Sequence, residues 1–418
     1  MSGTLAALRT RLVPRRAAWP WLVLGTFVAL SLMKDAAGAP DLLSAGTTGA
    51  SLRFTAPILL AGMGALWSER SGVVNIGLEG AMITGTWFGA WAGFTFGPEA
   101  GVVAGLVAGV SFGLLLAVLA VGFGVDQAVA GLALNLLAVG VTRFLSSVFF
   151  AGNGLGTITQ SPQVPPLPTV SIPGVALLLD PLRGAHVPVL SDAAAVALGL
   201  TTNVNVLTIL AFATVPVTAW ILFHTRLGLR IRFAGEAPGA SDSMGVSPNL
   251  HRYLAVAVSG ALGALGGVYL VIVGAGIYTE GQVAGRGFIG MATVIFGNWM
   301  PGATALGAYL FGFTDALRTR QESTINVLLV AAGVLFLVLA LARIRNRRDR
   351  PDRRDRTTAA YAGLAVGCLG WFIAVGVVPT ELIAVAPQVA TLLVLTLARQ
   401  HLRPPAAAGV PYRRSEQT

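Results

Sequence analysis

The chain has 418 residues, of which 55% are hydrophobic and only 11% are charged, and its formal net charge is +10. A soluble domain carries roughly 25% charged residues, so this composition excludes a globular protein whose whole surface faces water. It predicts an all-α, polytopic transmembrane helical bundle.

Uncharged stretches recur along the chain, and several approach the ~20 residues that a helix needs to cross a hydrocarbon core. Spanning segments are predicted near residues 19–33, 49–67, 73–92, 99–122, 127–149, 204–224, 253–275, 286–299, 302–317, 324–342, 359–377 and 382–398. At 1.5 Å per residue, segment 286–299 would extend only about 21 Å. Because Pro301-Gly302 follows it, two short crossings and a re-entrant hairpin both stay open.

Arginines cluster between these segments and set the orientation through the positive-inside rule. They place both termini in the cytoplasm, so the positive charge is a topology signal and no nucleic-acid partner is expected. A cleavable signal peptide ending at Ala37-Gly38-Ala39 is the alternative for the first segment, and Pro40 disfavours it. The predicted organisation is a cytoplasmic N-terminal tail 1–18, a transmembrane core 19–342, a cytoplasmic basic linker 343–358, an extra transmembrane hairpin 359–398 and a disordered cytoplasmic tail 399–418.

The core divides into two sets of five segments with opposite orientations, joined by a proline-rich outside loop at residues 151–203. Each set is broken between its second and third segments, at Ser68-Glu69-Arg70-Ser71-Gly72 (the inner interruption) and at residues 278–287 (the outer interruption). Inverted repeats with glycine-broken helices recur in transporters, with the site near the repeat interface. We therefore predict a 10-helix 5+5 inverted-repeat core plus a C-terminal two-helix hairpin. The long outside loop is interpreted as a gate or docking surface.

Several kinds of catalytic chemistry are absent from the sequence. Lys34 is the only lysine and does not end a glycine-rich loop, so the phosphate-binding loop of an ATPase is missing. The four histidines are far apart, and Cys368 is the only cysteine. No metal-ligand or histidine-based catalytic spacing results. We predict a protein that is not an enzyme and has no cofactor and no metal.

Polar residues near the interruptions are candidates for a translocation path. Asn75 and Glu79 stand four residues apart on one helix face just after the inner interruption, where they could line a water-filled path. They could equally hydrogen-bond the broken backbone and never touch solute. Asn135 lies inside the segment that begins after Asp126, and Asp126 is favoured as a helix N-cap over a proton carrier. Tyr278, Glu280 and Arg286 sit at the outer interruption, where contact with solute and contact with lipid headgroups both stay open.

Three stretches carry a resemblance to a known family. Ser68-Glu69-Arg70-Ser71-Gly72-Val73-Val74-Asn75-Ile76-Gly77-Leu78-Glu79-Gly80 closely resembles the signature of ABC-importer permeases of the simple-sugar and nucleoside branch, the nucleoside type in particular. Arg232-Phe233-Ala234-Gly235-Glu236 through Met244-Gly245-Val246 resembles that family's cytoplasmic coupling loop. Thr279-Glu280-Gly281-Gln282 through Val294-Ile295-Phe296-Gly297-Asn298-Trp299 resembles its second membrane block. The resemblance covers roughly residues 52–343.

The resemblance implies a membrane-spanning permease subunit of an ATP-driven importer in the cell membrane, which translocates nucleosides or related simple sugars. It implies four partners: a cytoplasmic ATP-binding subunit, a paralogous permease subunit in a heterodimer, an extracytoplasmic solute-binding lipoprotein and the lipid bilayer. It adds Asn298 to the translocation path and assigns coupling to the ATPase to Arg232, Gly235, Glu236, Asp242 and Gly245. The alternative is an ion-coupled secondary transporter of a small polar solute that uses Glu79 or Asp126. The C-terminal hairpin departs from the family pattern.

Overall fold

The computed structural model describes residues 40–185, 187–318 and 402–412, together with 27–28, 31, 34, 333, 336–337, 340, 362–368 and 370. The predicted segments 19–33, 324–342, 359–377 and 382–398 and the linker 343–358 therefore lie wholly or largely outside the described residues. The chain divides into two compact units. One comprises Met1–Thr48, Ile172–Thr202 and Leu317–Ala386, and the other comprises Gly49–Ser171, Asn203–Ala316 and Pro387–Thr418.

The described part of the chain is mostly helical. A short 3-10 turn at Pro40–Leu43 precedes the helices α1 (Ala45–Arg70), α2 (Leu78–Phe96), α3 (Pro98–Ala117), α4 (Gln127–Ser146), α5 (Val175–Gly184), α6 (Leu190–Thr201), α7 (Val206–His224), α8 (Arg226–Glu236), α9 (Pro238–Ser243), α10 (Pro248–Tyr269), α11 (Arg286–Phe296) and α12 (Pro301–Arg318). Wider π turns extend α3, α4 and α10 over Val118–Gly122, Ser147–Ala151 and Leu270–Ala275. Two short strands, β1 (Thr169–Val170) and β2 (Val204–Asn205), pair antiparallel with Thr169 opposite Asn205.

Five of the described helices are long and apolar enough to cross a membrane: Ala45–Arg70, Pro98–Gly122, Gln127–Ala151, Val206–His224 and Pro248–Ala275. They agree with five of the predicted segments to within a few residues. α2 begins at Leu78, later than the predicted residue 73, because residues 71–77 form turns. Segment 286–299 is shorter than predicted, since α11 ends at Phe296 and α12 starts at Pro301.

Small residues let α2, α3 and α10 pack closely within the second unit. An added Cβ on Gly109 of α3 would lie 2.5 Å from Gly260 O of α10, and one on Gly101 would lie 2.5 Å from Gly89 O of α2. The stripe Gly101, Gly105 and Gly109 therefore packs inside the subunit, as its spacing favours. Beside it, Trp87 is buried and donates through Nε1 to Ser146 Oγ at 2.9 Å.

In the first unit, α5 and α6 belong to the outside loop. Both are short helices within the proline-rich sequence of this loop. Asp192 in the first turn of α6 is buried and accepts hydrogen bonds from Ser31 Oγ and Lys34 Nζ. A buried carboxylate of this kind is retained only when its charge is paired and hydrogen-bonded.

Residues 402–412 form a C-terminal segment within the second unit. The composition predicted them to be part of a disordered tail, but the structure gives them defined hydrogen bonds. Ala407 N donates to Gly235 O at 2.9 Å, and Gly409 N donates to Gly72 O at 3.1 Å. The sequence gives no sign of this because the contacts use backbone groups, which any residue type carries.

Candidate functional site

The inner interruption was predicted at residues 68–72, but the helix continues to Arg70 and the break covers residues 71–77. The side chains of Ser68 and Ser71 stabilise this break. Ser68 Oγ donates to Val73 O at 2.6 Å, and Ser71 Oγ donates to Ser68 O at 2.7 Å. Gly72 has φ +91°, a conformation that favours glycine. Most of these residues are buried. The interruption is therefore a break in the helices that is stabilised by hydrogen bonds of Ser68 and Ser71.

Two asparagines that were candidates for the path contribute further hydrogen bonds to this break. Asn135 on α4 accepts from Gly80 N at 2.7 Å through Oδ1 and donates to Ile76 O at 3.0 Å through Nδ2. Asn75 Nδ2 donates to Ser259 Oγ on α10 at 2.8 Å, while its buried Oδ1 has no partner among the described residues. Asn135 thus supports the broken backbone. Asn75 retains a buried acceptor that is not used by the described part of the chain.

Glu79 connects the two interruptions. Its Oε1 accepts from Gly285 N and its Oε2 accepts from Gly287 N, both at 2.8 Å. These donors are the free N–H groups at the start of α11, where the helix dipole also favours a negative charge. An added Cβ on Gly287 would lie 2.6 Å from Glu79 N, so the close approach of α2 and α11 requires a glycine at position 287.

The outer interruption is paired with the outside loop. Ser161 N donates to Tyr278 O at 3.1 Å, and Tyr278 N donates to Ser161 Oγ at 2.9 Å. Glu280 N donates to Thr159 O at 2.8 Å, and Glu280 Oε1 lies 3.7 Å from Arg143 Nη1. Tyr278 is 2% exposed, and burial raises the pKa of its phenol. The loop therefore covers this interruption and encloses Tyr278.

Arg286 begins α11 and contacts α12. Its Nη2 lies 3.8 Å from Asp315 Oδ2, and its Nη1 donates to Gln282 O and Val283 O at 3.1 Å. The buried Nε has no partner within the described ranges. Arg286 therefore links the outer interruption to α12, and it makes no direct hydrogen bond or salt bridge to Glu79 among the described contacts.

Asn298 lies apart from the other path candidates, in the turn between α11 and α12. Asn298 and Trp299 have φ +48° and +55°. Arg70 donates to Trp299 O through Nε at 3.0 Å and Nη2 at 2.6 Å, and Trp299 Nε1 donates to Glu69 Oε2. Asn298 Oδ1 accepts from Arg403 N at 2.8 Å. The structure thus places Asn298 beside the end of α1 and the C-terminal segment.

The predicted coupling loop consists of α8 and α9 and lies against the inner interruption. An added Cβ on Gly235 would lie 2.9 Å from Gly72 N, which leaves no room for a side chain there. The Arg232 guanidinium lies 5.0 Å from the centre of the Phe223 ring, within the range of a cation–π contact. Gly245, with φ +76°, follows the end of α9. Gly235 therefore allows the loop and the break to approach closely, whereas Gly245 has no neighbour within 4 Å of an added Cβ.

Sequence reasoning missed Arg252, which it counted only as a cytoplasmic positive charge. Arg252 is 1% exposed. It donates to Ser71 O at 3.2 Å, to Ala234 O at 3.4 Å and to Val410 O at 3.0 Å. One buried guanidinium therefore joins the inner interruption, α8 and the C-terminal segment. The sequence signal that could have indicated a buried role is its position directly before the apolar segment 253–275.

The two carboxylates of the coupling loop also contact the C-terminal segment. Glu236 Oε2 accepts from Ala406 N at 3.2 Å, and Asp242 Oδ2 accepts from Tyr412 OH at 3.3 Å. Asp126, the other acidic candidate, caps α4, because its Oδ1 accepts from Ala128 N and Val129 N at 2.9 Å. The N-cap interpretation of Asp126 is confirmed.

Membrane-spanning helices that are broken and that contact each other at the breaks are typical of membrane transport proteins. The chain belongs to the family described as the permease component of branched-chain amino acid transport systems, whose model matches residues 47–339. It is therefore the membrane permease subunit of an ABC importer, and the resemblance seen in the sequence is confirmed.

Three relatives show what the chain is similar to. It is 34% identical to the guanosine ABC transporter permease protein NupQ of Bacillus subtilis, over 72% of this chain and 92% of that protein. It is 33% identical to the putative glucose ABC transporter permease protein TsgC13 of Haloferax volcanii, over 67% of this chain and 79% of that protein. It is 30% identical to the nucleoside ABC transporter permease protein NupC of Lactococcus lactis, over 64% of this chain and 80% of that protein. No solved structure matches the chain.

Proposed function

We propose that this permease subunit translocates nucleosides, with related simple sugars as the second choice, across the cell membrane. The substrate is supported by the relatives named for guanosine and for nucleosides, the first of which is matched over 92% of its length. The relative named for glucose supports the second choice.

The translocation path is proposed to run between the two interruptions. The observation that carries this is the pair of hydrogen bonds that Glu79 accepts from Gly285 N and Gly287 N, which connects the start of α11 to α2. Asn75 Oδ1, a buried acceptor with no partner in the described part of the chain, is the group on this path best suited to accept a hydrogen bond from a solute hydroxyl or amino group. Tyr278, Glu280 and Arg286 form the outer end of the path, under the outside loop. Asn298, which the resemblance assigned to the path, is proposed to lie at the cytoplasmic face instead, because it contacts Arg403 of the C-terminal segment.

The ten-helix 5+5 inverted repeat, with both termini in the cytoplasm, is part of the proposal. It is supported by the matching ends of α1 and α10, each of which leads to a left-handed glycine, Gly72 with φ +91° and Gly276 with φ +72°. Each is followed by a helix that takes part in the Glu79 contact. Such halves can rock against each other around a central site.

Coupling to a cytoplasmic ATPase is proposed at α8 and α9, through Arg232, Gly235, Glu236, Asp242 and Gly245. A force on these helices reaches the inner interruption through Gly235 and Arg252, both of which contact residues 71–72. The remaining proposed partners are a paralogous permease subunit in a heterodimer, and a solute-binding lipoprotein that docks on the outside loop.

The substrate is tested by measuring binding of labelled guanosine, adenosine and ribose to the solute-binding protein encoded beside this permease, and by uptake into cells that express the whole system. We expect nucleosides to bind and to compete with each other for uptake. Tight ribose binding without nucleoside binding would refute the nucleoside assignment and leave the sugar alternative.

A further inference from the structure

The C-terminal segment, residues 402–412, lies in a groove between the inner interruption and α8. Two hydrogen bonds hold its backbone, from Ala407 N to Gly235 O and from Gly409 N to Gly72 O. An added Cβ on Gly72 would lie 3.1 Å from Ala407 O, so the absence of a side chain there makes room for the segment. Pro405 is buried.

Arg252 stabilises the segment in this position. That guanidinium is 1% exposed and has backbone carbonyl partners, one of which is Val410 O. If the segment left, a buried cation would lose a hydrogen bond, and such losses are unfavourable. Glu236 and Asp242 add side-chain contacts to Ala406 and Tyr412.

The C-terminal segment adds its own residues to the surface beside the coupling loop. It closes one side of a polar cavity of about 470 Å³ lined by Arg70, Glu236, Asn298, Met300, Arg403 and Pro404. Two arginines face a single carboxylate in this cavity. Leu402 and Val410 of the segment are 48% and 56% exposed. The surface is therefore basic with apolar points, which suits an acidic protein partner.

We propose that residues 402–412 form, together with α8 and α9, the surface that binds the cytoplasmic ATPase subunit, and that the cavity between Arg70 and Arg403 accepts an acidic side chain of that subunit. The inference rests on the proposed coupling to an ATPase. It adds a second chain segment, outside the residues 47–339 matched by the family, to the coupling face.

Charge reversal tests the acidic contact in the assembled transporter. Arg403→Glu should weaken binding of the ATPase subunit to the purified complex by about tenfold or more, and Arg403→Ala should weaken it less, because only the first adds repulsion. The matched control is Arg183→Glu, an exposed arginine of the outside loop, which should bind the ATPase like the wild type. Wild-type affinity for Arg403→Glu would overturn the proposal.

Cysteine labelling tests whether the segment stays in place. In a Cys368→Ala background, which removes the only native cysteine, Leu402→Cys should react with a maleimide in the permease alone and become protected when the ATPase binds. Pro405→Cys should stay unreactive in both states. A Pro405→Cys that becomes reactive on ATPase binding would show that the segment is displaced, and the proposal would be wrong.

Failure of this inference differs from failure of the proposed function. If Glu236→Arg with Asp242→Arg abolishes ATPase binding while Arg403→Glu leaves it unchanged and Leu402→Cys stays reactive, the coupling loop stands and the C-terminal segment is not part of the surface. If the wild-type permease binds no ATPase subunit in these assays, the proposed coupling itself fails.

Discussion

Glu79 has one role in the structure that the sequence left undecided. The alternatives were contact with solute and hydrogen bonding to the broken backbone. Both carboxylate oxygens accept backbone N–H groups at the start of α11, so the second alternative describes its resting contacts. A group with both oxygens bound to donors is also poorly placed to act as a proton carrier, because protonation would put a hydrogen against one of those donors.

The first prediction concerns the shape and charge of this contact. Glu79→Gln keeps one carbonyl oxygen, but its NH₂ group then faces a backbone N–H, at a cost of about 1–3 kcal/mol. We expect reduced but ATP-dependent uptake in reconstituted vesicles, and a lower unfolding temperature. Glu79→Leu leaves both N–H groups without partners and should lose most uptake.

The matched control is Glu99→Gln, since Glu99 is an exposed glutamate in the first turn of α3. It should leave uptake and unfolding temperature near the wild-type values. A Glu79→Gln protein as stable and as active as the Glu99→Gln protein would mean that the contact with α11 contributes little.

The second prediction concerns Arg252. Arg252→Met fills similar space but leaves the carbonyls of Ser71, Ala234 and Val410 without this donor. We expect the free energy of unfolding to fall by about 3 kcal/mol or more. Arg252→Lys should be intermediate, because an ammonium reaches fewer of these positions than the guanidinium fork. Thermal unfolding in detergent measures both variants, and an unchanged midpoint for Arg252→Met would contradict the assigned role.

At this scale the sequence predicts which residue types matter but not which of them meet. Asn75, Glu79 and Asn135 were picked out because polar groups in a membrane-spanning segment can line a water-filled path. The partner of Glu79 lies more than 200 residues away on the chain, at Gly285 and Gly287. The local pattern of apolar and polar residues cannot predict a contact between residues so far apart on the chain.

At the scale of elements, the helices follow from apolar length and the breaks follow from glycine and charge. The C-terminal segment does not follow from composition. From the sequence, the core looks complete before residue 343, and a tail rich in proline, alanine and arginine looks disordered. In the structure, residues 402–412 instead occupy the groove at Gly72 and Gly235, so a truncation before residue 402 should destabilise the contact between α8 and the inner interruption.

The third prediction tests the close approach of α2 and α11. Gly287→Ala would place a Cβ 2.6 Å from Glu79 N, so the helices must separate and the carboxylate contacts must lengthen. We expect loss of uptake and a lower unfolding temperature. Gly302→Ala is the control, because nothing lies within 4 Å of its added Cβ, and alanine should stabilise the start of α12 slightly. Equal behaviour of the two variants would show that the approach is not tight.

At the scale of the whole molecule, a series of contacts connects α8 to the start of α11. α8 contacts the inner interruption at Gly235, the interruption leads into α2, and α2 contacts the start of α11 through Glu79. The fourth prediction is that Glu236→Arg with Asp242→Arg detaches the ATPase subunit while the permease still inserts into the membrane. Co-purification measures the first effect and membrane fractionation measures the second. Retained ATPase and unchanged transport would remove the coupling role of this loop.

The most direct measurement is uptake of labelled guanosine into vesicles that contain this permease with the proposed paralogous permease and ATPase subunit. ATP is enclosed with the ATPase inside the vesicles, and the proposed solute-binding protein is added outside with the guanosine. ATP-driven translocation predicts uptake that requires ATP and the binding protein and that is insensitive to a protonophore. Uptake that proceeds without the ATPase, follows a pH gradient and is abolished by the protonophore would contradict the account and favour an ion-coupled carrier.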